Sequence, residues 1–136
     1  MDHPINYIDT LPTFLMYFVT AIALMVIFLT VYMRVTPYNE LALIKQGNAA
    51  PAITLSGSLI GFILPLCSVV QASISVIDLA IWGMIALLVQ VLAFWVINKA
   101  MPSIKTHIQE GQISSAILLA VLSLAVGMIN AACMSY

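Results

Sequence analysis

The chain has 136 residues, of which 63% are hydrophobic and 7% are charged, and its formal net charge is −1. A soluble domain of this size has about 25% charged residues, so the composition excludes a water-soluble fold and predicts an integral membrane protein embedded in the lipid bilayer. Four basic residues in the whole chain are too few for a nucleic-acid partner, because phosphate binding needs clustered lysine and arginine.

Four apolar runs predict transmembrane helices at about residues 11–33, 49–70, 79–97 and 113–134. About 20 apolar residues suffice to cross a hydrocarbon core of about 30 Å. We therefore expect an all-α bundle in one four-helix transmembrane domain that occupies residues 1–136. The first run is interpreted as a retained helix rather than a secretory signal, because it is long and its leading flank has acidic but no basic residues.

The charges predict an orientation. The basic residues all fall in the first and third connections between the runs: Arg34, Lys45, Lys99 and Lys105. The opposite side has only acidic charges, at Asp2, Asp9 and Asp78. Lysine and arginine next to membrane spans remain in the cytoplasm. We therefore expect a multi-pass protein of the bacterial inner membrane, with both termini outside and two cytoplasmic loops.

The two halves of the chain resemble each other. Residues 44–55 read IKQGNAAPAITL and residues 108–119 read IQEGQISSAILL. The similarity predicts two parallel hairpin repeats, at about 11–70 and 79–134, related by an axis along the membrane normal. Chance similarity between apolar segments with a glycine cap is the alternative.

The first connection, TPYNELALIKQG, predicts a short interfacial helix. Thr36 is suited to cap it and Pro37 to occupy its first position, while Gly47 can end it in a left-handed conformation. A cytoplasmic contact face for a partner is predicted from the charged residues of the two basic loops: Glu40, Lys45, Lys105 and Glu110.

Small residues recur in the second and fourth spans, namely Gly57 and Gly61 in the second and Ser123 and Gly127 in the fourth. Lipid is as apolar as leucine, so helices associate in a bilayer by close backbone approach, which small residues permit. We therefore predict that these two helices form the tightly packed inner pair and that the bulkier first and third face lipid. Pro65 predicts a kink, which is either static or a moving hinge.

No charged residue or histidine falls in the middle of a span, which argues against a proton-coupled exporter. No catalytic or metal-binding spacing is present either, so we expect neither an enzyme nor a cofactor or metal. The amides Gln71, Gln90 and Asn130 are interpreted as interhelical clamps or, alternatively, as the polar lining of a passive pathway.

Three stretches carry a family resemblance: TPYNELALIKQGNAAPAITLSGSLIGFILPL, DLAIWGMIALLVQVLAF and the ending GMINAACMSY. On these residues the chain closely resembles the YjfL family, small bacterial inner-membrane proteins without an assigned function. The resemblance implies four helices, a module that some relatives carry twice, and an association with phage-shock-type membrane-binding proteins. It implies no site residues. The exposed thiol expected at Cys133, beside Asn130, is kept as a separate hypothesis.

Two functions remain open. The first is a non-enzymatic, self-associating membrane component of the envelope-stress kind, with a membrane-associated stress protein as its partner on the cytoplasmic side. The alternative is a passive channel or carrier for a small ion or neutral solute, lined by the segment 57–65 and Asn130. We favour the first, because the sequence has no evident selectivity determinant.

Overall fold

The computed structural model describes residues 7–134 and is all-helical over that range; Asp2 lies outside it. The helices are α1 Tyr7–Val35, α2 Glu40–Lys45, α3 Ala49–Ala72, α4 Val76–Ala100, α5 Ile104–Gln109 and α6 Ile113–Cys133. Helices α1, α3, α4 and α6 are long and apolar enough to cross a membrane. The predicted all-α class with four spanning helices is confirmed. Helices α1 and α4 extend beyond the predicted spans at both ends.

The four long helices alternate in direction, so α1 and α4 end where α3 and α6 begin. We call this end, which also holds α2 and α5, the basic end, because all four basic residues lie there. Each half of the chain has the same order of elements: a long helix, a six-residue helix and a second long helix. An internal duplication remains a prediction.

Both six-residue helices end in the same backbone motif. Gly47 and Gly111 have φ of 87° and 82°, a left-handed conformation that favours glycine. The N–H of Gly47 donates to the carbonyl of Ile44, and the next N–H donates to Leu43, both at 3.0 Å. The hydrogen bonds around Gly111 have the same pattern. This is the Schellman ending, so the prediction that Gly47 closes the turn is confirmed.

The start of α2 differs from the expected one. Asn39, rather than Thr36, caps the helix, since its side chain accepts a hydrogen bond from the N–H of Ala42 at 3.2 Å. The Thr36 hydroxyl instead donates back to the carbonyl of Met33 at 3.1 Å. Pro37 therefore precedes the helix, because the chain needs three more residues to turn from α1 into α2.

Helices α3 and α6 form the most extensive contact of the bundle. A Cβ atom added at Gly57 would lie 2.6 Å from the Cα of Ala120, and one added at Gly127 would overlap the backbone of Gly61. Helix α1 is the least buried of the four. The second and fourth spans therefore form the closest pair, but α4 is buried almost as much as α6, so only the first span is clearly the more exposed.

Pro65 is buried within α3, which is helical on both sides of it. Proline has no N–H, so the carbonyl of Gly61, four residues earlier, loses its helical hydrogen bond. That carbonyl is the atom against which Gly127 packs. The proline therefore frees an acceptor at the point where α6 approaches most closely, and a Cα–H group of α6 can contact it there.

Aromatic side chains fill the space between α1, α3 and α4 near the basic end. The rings of Phe28 and Phe62 stack with centroids 4.7 Å apart, and Tyr32 lies at the same distance from Phe94. The buried residues of α1 are Leu24, Phe28 and Tyr32. Their spacing of four residues makes one stripe, which is the only face that α1 turns to the bundle over the described residues.

Candidate functional site

A buried amide side chain connects α4 to α6 near the middle of the bundle. Gln90 of α4 is 1% exposed, and its Nε2 donates to the main-chain carbonyl of Ser123 on α6 at 3.0 Å. At 1.5 Å per residue it lies about 15 Å from the end of its helix, near the centre of a bilayer. Gly61 makes the bond possible, because a Cβ there would lie 2.6 Å from this nitrogen.

Two polar atoms at this contact have no hydrogen-bond partner among residues 7–134: the Oε1 atom of Gln90 and the hydroxyl of Ser123. Both residues are about 1% exposed. The buried hydroxyl of Ser58, one turn before Gly61 on α3, lies beside the Tyr32 hydroxyl instead. An unpaired polar group in a low-dielectric interior costs about 1–3 kcal/mol, so a layer of such groups needs a physical account. The layer has the chemistry to hold water or a small neutral solute.

A second polar group lies at the basic end, and we call it the Glu40 cluster: Tyr32, Thr36, Tyr38, Glu40 and Thr54. Glu40 begins α2 and is only 2% exposed, because this face of the short helix packs against α3. Neither of its carboxylate oxygens has a hydrogen-bond or ion-pair partner among the described residues.

Hydroxyl groups surround this carboxyl. The hydroxyls of Thr36 and Thr54 donate to main-chain carbonyls, those of Met33 and Pro51, which leaves their lone pairs free to accept. The Thr36 hydroxyl beside Glu40 is thus already engaged with a main-chain carbonyl and compensates an ionised carboxylate only in part.

Burial raises the pKa of Glu40 from its ordinary value of 4.5 to about 7, and the Thr36 hydroxyl opposes this only in part. Burial, followed by the negative charge of Glu40, also raises the pKa of Tyr38, so this phenol remains protonated at neutral pH. No lysine or arginine acts on the Glu40 carboxyl. The cluster can therefore bind and release a proton near neutral pH.

Burial of Glu40 corrects its assignment to the cytoplasmic contact face. The charge pattern of the connection predicts Glu40 on the polar side of the short helix. In fact Glu40 is three and four residues from Leu43 and Ile44, and residues at this spacing share one helical face. That spacing was the signal for an inward carboxyl, and it was outweighed by the assumption that a charged loop residue is solvated.

The other residues of the predicted contact face are accessible. Lys45 and Glu110 are exposed, and Lys105 is half-buried. The two loops that carry them touch each other, since the Nδ2 of Asn48 donates to the carbonyl of Gln109 at 3.1 Å. They therefore form one continuous surface at the basic end.

The three amides interpreted as interhelical clamps or as a polar lining lie on three different helices of the bundle. Gln90 is central, whereas Gln71 is exposed near the end of α3 that lies away from the basic end. Asn130 borders a cleft of about 250 Å³ on α4 and α6, which Cys133 also lines, and its Nδ2 has no partner among the described residues. Of the three, only Gln90 forms an interhelical hydrogen bond.

Metal-binding residues do not cluster in the part of the chain that the structure describes, where no three His, Cys, Asp or Glu side chains come together. Glu40 is the one acidic member of its cluster, and the remaining oxygens there are hydroxyls.

Comparison with known proteins gives one family. The sequence profile of the Domain of Unknown Function DUF350 matches residues 6–134. The chain is 36% identical over 131 residues to the UPF0719 inner membrane protein YjfL of Escherichia coli strain K12, which covers 96% of this chain and 99% of the relative. The protein of the same name from E. coli O157:H7 matches to the same extent. No solved structure matches.

Proposed function

Because the chain belongs to the DUF350 family and its E. coli relative is an inner membrane protein, we propose that it is a non-enzymatic structural component of the inner membrane that self-associates. The observation that carries this proposal is the poor packing of α1. Almost every residue of its first half, from Tyr7 to Val19, is exposed. Apolar grooves of about 250 and 340 Å³ flank it, next to α3 and α4.

The stripe of small residues does not contribute to self-association. Gly57, Gly61 and Gly127 are used inside one chain, where α3 meets α6. The interface is therefore assigned to α1, where Phe14 and Phe18 stack on the exposed surface with ring centroids 5.8 Å apart. A second copy of α1 fills such grooves with better van der Waals contact than mobile lipid chains. A two-fold axis beside α1 buries both copies at once.

The basic end faces the cytoplasm in this proposal, with both termini outside, because lysine and arginine near membrane spans are retained inside. Lys45 and Glu110 are then available to a membrane-associated partner of the envelope-stress kind. Glu40 is not, since it is buried.

Cysteine crosslinking in membranes tests self-association. In a background where Cys67 and Cys133 are serine, Phe18→Cys is expected to give a disulfide-linked dimer after mild oxidation. Met128→Cys on α6 is the matched control, because Phe18 and Met128 are 54% and 58% exposed and lie 17 and 15 residues from the basic ends of their helices. The control is expected to remain monomeric. Equal crosslinking of both variants, or none with Phe18→Cys, would contradict an α1 interface.

A passive pathway for water or a small neutral solute is the second candidate, and the unpaired atoms of Gln90 and Ser123 favour it. In hydrocarbon such atoms need partners, and water entering the bundle would supply them. In this arrangement the path runs between α3, α4 and α6.

Flux from liposomes distinguishes the two candidates. If the pathway exists, purified protein is expected to raise water or urea flux above that of empty liposomes, and Gln90→Leu to remove the increase. Gln71→Leu makes the same chemical change at an exposed site and is expected to leave the flux intact. Absence of flux from folded, inserted protein would leave the structural function as the remaining candidate.

A further inference from the structure

The surface of α4 near the basic end combines charge and apolar character in one line. Leu88, Leu92, Trp95 and Lys99 follow one another at intervals of four, three and four residues, so they lie on a single helical face. The three apolar side chains are each about half exposed or more. This stripe is unrelated to the α1 interface and to the polar layer inside the bundle.

The charged end of the stripe is a concave site. A cleft of about 230 Å³ is lined by Trp95, Asn98, Lys99, Pro102 and Lys105, where α4 turns into α5. The ammonium group of Lys99 lies 5.2 Å from the centroid of the Trp95 ring, a cation–π contact that holds it at the rim. Within residues 7–134 neither lysine is paired with a carboxylate. Two unpaired ammonium groups at a membrane surface attract an anion.

The apolar end of the stripe is a second cavity that shares Trp95 with the first. This groove of about 380 Å³ is lined by Val35 of α1 and by Leu88, Val91, Leu92 and Trp95 of α4. From Lys99 to Leu88 the stripe spans about 16 Å, close to the depth of one leaflet, which is half of a hydrocarbon core of about 30 Å. A polar cleft and an apolar groove joined at a tryptophan match the two parts of a phospholipid.

We propose that this surface is a binding site for one anionic phospholipid of the phosphatidylglycerol or cardiolipin type, with its phosphate between Lys99 and Lys105 and an acyl chain against Leu92 and Leu88. Trp95 lies at the boundary between headgroup and chain, the position that tryptophan prefers in membranes. A zwitterionic lipid fits less well, because its own ammonium group opposes the two lysines.

Native mass spectrometry of the full-length protein in detergent tests the site by titration with phosphatidylglycerol or phosphatidylethanolamine of identical acyl chains. A charge near the membrane surface contributes about 1 kcal/mol per lysine. The double variant Lys99→Gln, Lys105→Gln is therefore expected to bind phosphatidylglycerol about 30-fold more weakly. Lys45→Gln removes one positive charge from the other basic loop. It is expected to change the affinity for phosphatidylglycerol less than twofold.

Three further arms complete the experiment. The variant Lys99→Arg, Lys105→Arg is expected to keep the preference for phosphatidylglycerol, which separates lost charge from misfolding. Leu92→Trp, which fills the groove, is expected to weaken binding of both lipids. Inorganic phosphate and glycerol 3-phosphate at millimolar concentration are expected not to displace the lipid.

The proposal is overturned if the two lipids bind the wild-type protein equally, if Lys45→Gln weakens binding as much as the double variant does, or if Leu92→Trp has no effect. Displacement by free phosphate would likewise overturn it, since the site would then recognise a soluble anion instead of a lipid.

Discussion

The variant Gly127→Ala is expected to unfold at a markedly lower temperature than the wild type, because the substitution disturbs the contact between α3 and α6. The added Cβ would overlap backbone atoms of Gly61, which cannot move aside as the end of a flexible side chain can. Overpacking of this kind costs about 3 kcal/mol. Alanine is about 1 kcal/mol better than glycine inside a helix, so the net loss is expected to be about 2 kcal/mol. The expected loss comes from the position of Gly127 in the α3–α6 contact, and not from the helix propensities of glycine and alanine.

Thermal unfolding of the purified protein, followed by loss of helical circular dichroism or by aggregation, measures this effect. Ala125→Val is the control on the same helix, because this position is exposed. It is expected to melt within a degree or two of the wild type. If Gly127→Ala were as stable as the wild type or more so, helix propensity would outweigh the clash and the close α3–α6 contact would be refuted.

Glu40→Gln is expected to stabilise the protein at pH 8 and to leave it nearly unchanged at pH 4. The pKa of Glu40 is raised from 4.5 to about 7 on folding by burial, opposed by the Thr36 hydroxyl. A group with a raised folded-state pKa contributes stability that is fully present below the unfolded pKa. That contribution is lost as the pH rises through the folded pKa. The wild type should therefore lose stability between about pH 4.5 and 7, by an amount on the order of 2–3 kcal/mol.

The groups facing Glu40 make this prediction specific. Thr36 and Tyr38 precede it in the same connection, Tyr32 comes from α1 and Thr54 from α3. All are neutral near pH 7, and no lysine or arginine compensates the carboxylate. Unfolding curves from pH 4 to 8 should therefore converge for wild type and Glu40→Gln at the acid end. Glu110→Gln, an exposed position, is the control and should follow the wild type. Parallel curves for all three proteins would contradict a buried titrating carboxyl.

Much of the fold could be predicted because its determinants are local. A run of about 20 apolar residues is enough to define a membrane span, and all four spans were located within a few residues of the observed helices. The short helices and the left-handed Gly47 also follow from neighbouring residues, since a Schellman ending involves six consecutive positions. Even the closest pair of helices was evident, because small residues allow close approach and bulky ones prevent it.

The candidate site was predictable only in part. Gln90 was recognised as a buried amide in need of a partner, but its partner is a main-chain carbonyl 33 residues away. Nothing in the chemical type of Ser123 identifies that carbonyl. Gln71, Gln90 and Asn130 were selected by residue type, whereas depth and helix face decide what each of them contacts, and their role as a lining or as clamps stays a prediction. A cleft that joins Lys99 of α4 with Lys105 of α5 likewise depends on how the chain turns at Pro102.

By itself, the sequence determined that this protein is a four-span bundle with its positive charges at one end. Hydropathy and charge are properties of single residues, and each residue interacts with the bilayer according to them. The tertiary structure decided which polar side chains are enclosed. Glu40 is buried since α3 covers its face of a six-residue helix, and the first half of α1 is left uncovered although it is as apolar as its neighbours. Lipid and protein interior are equally apolar, so hydrophobicity cannot distinguish a lipid-facing surface from a packed one. That distinction comes only from shape.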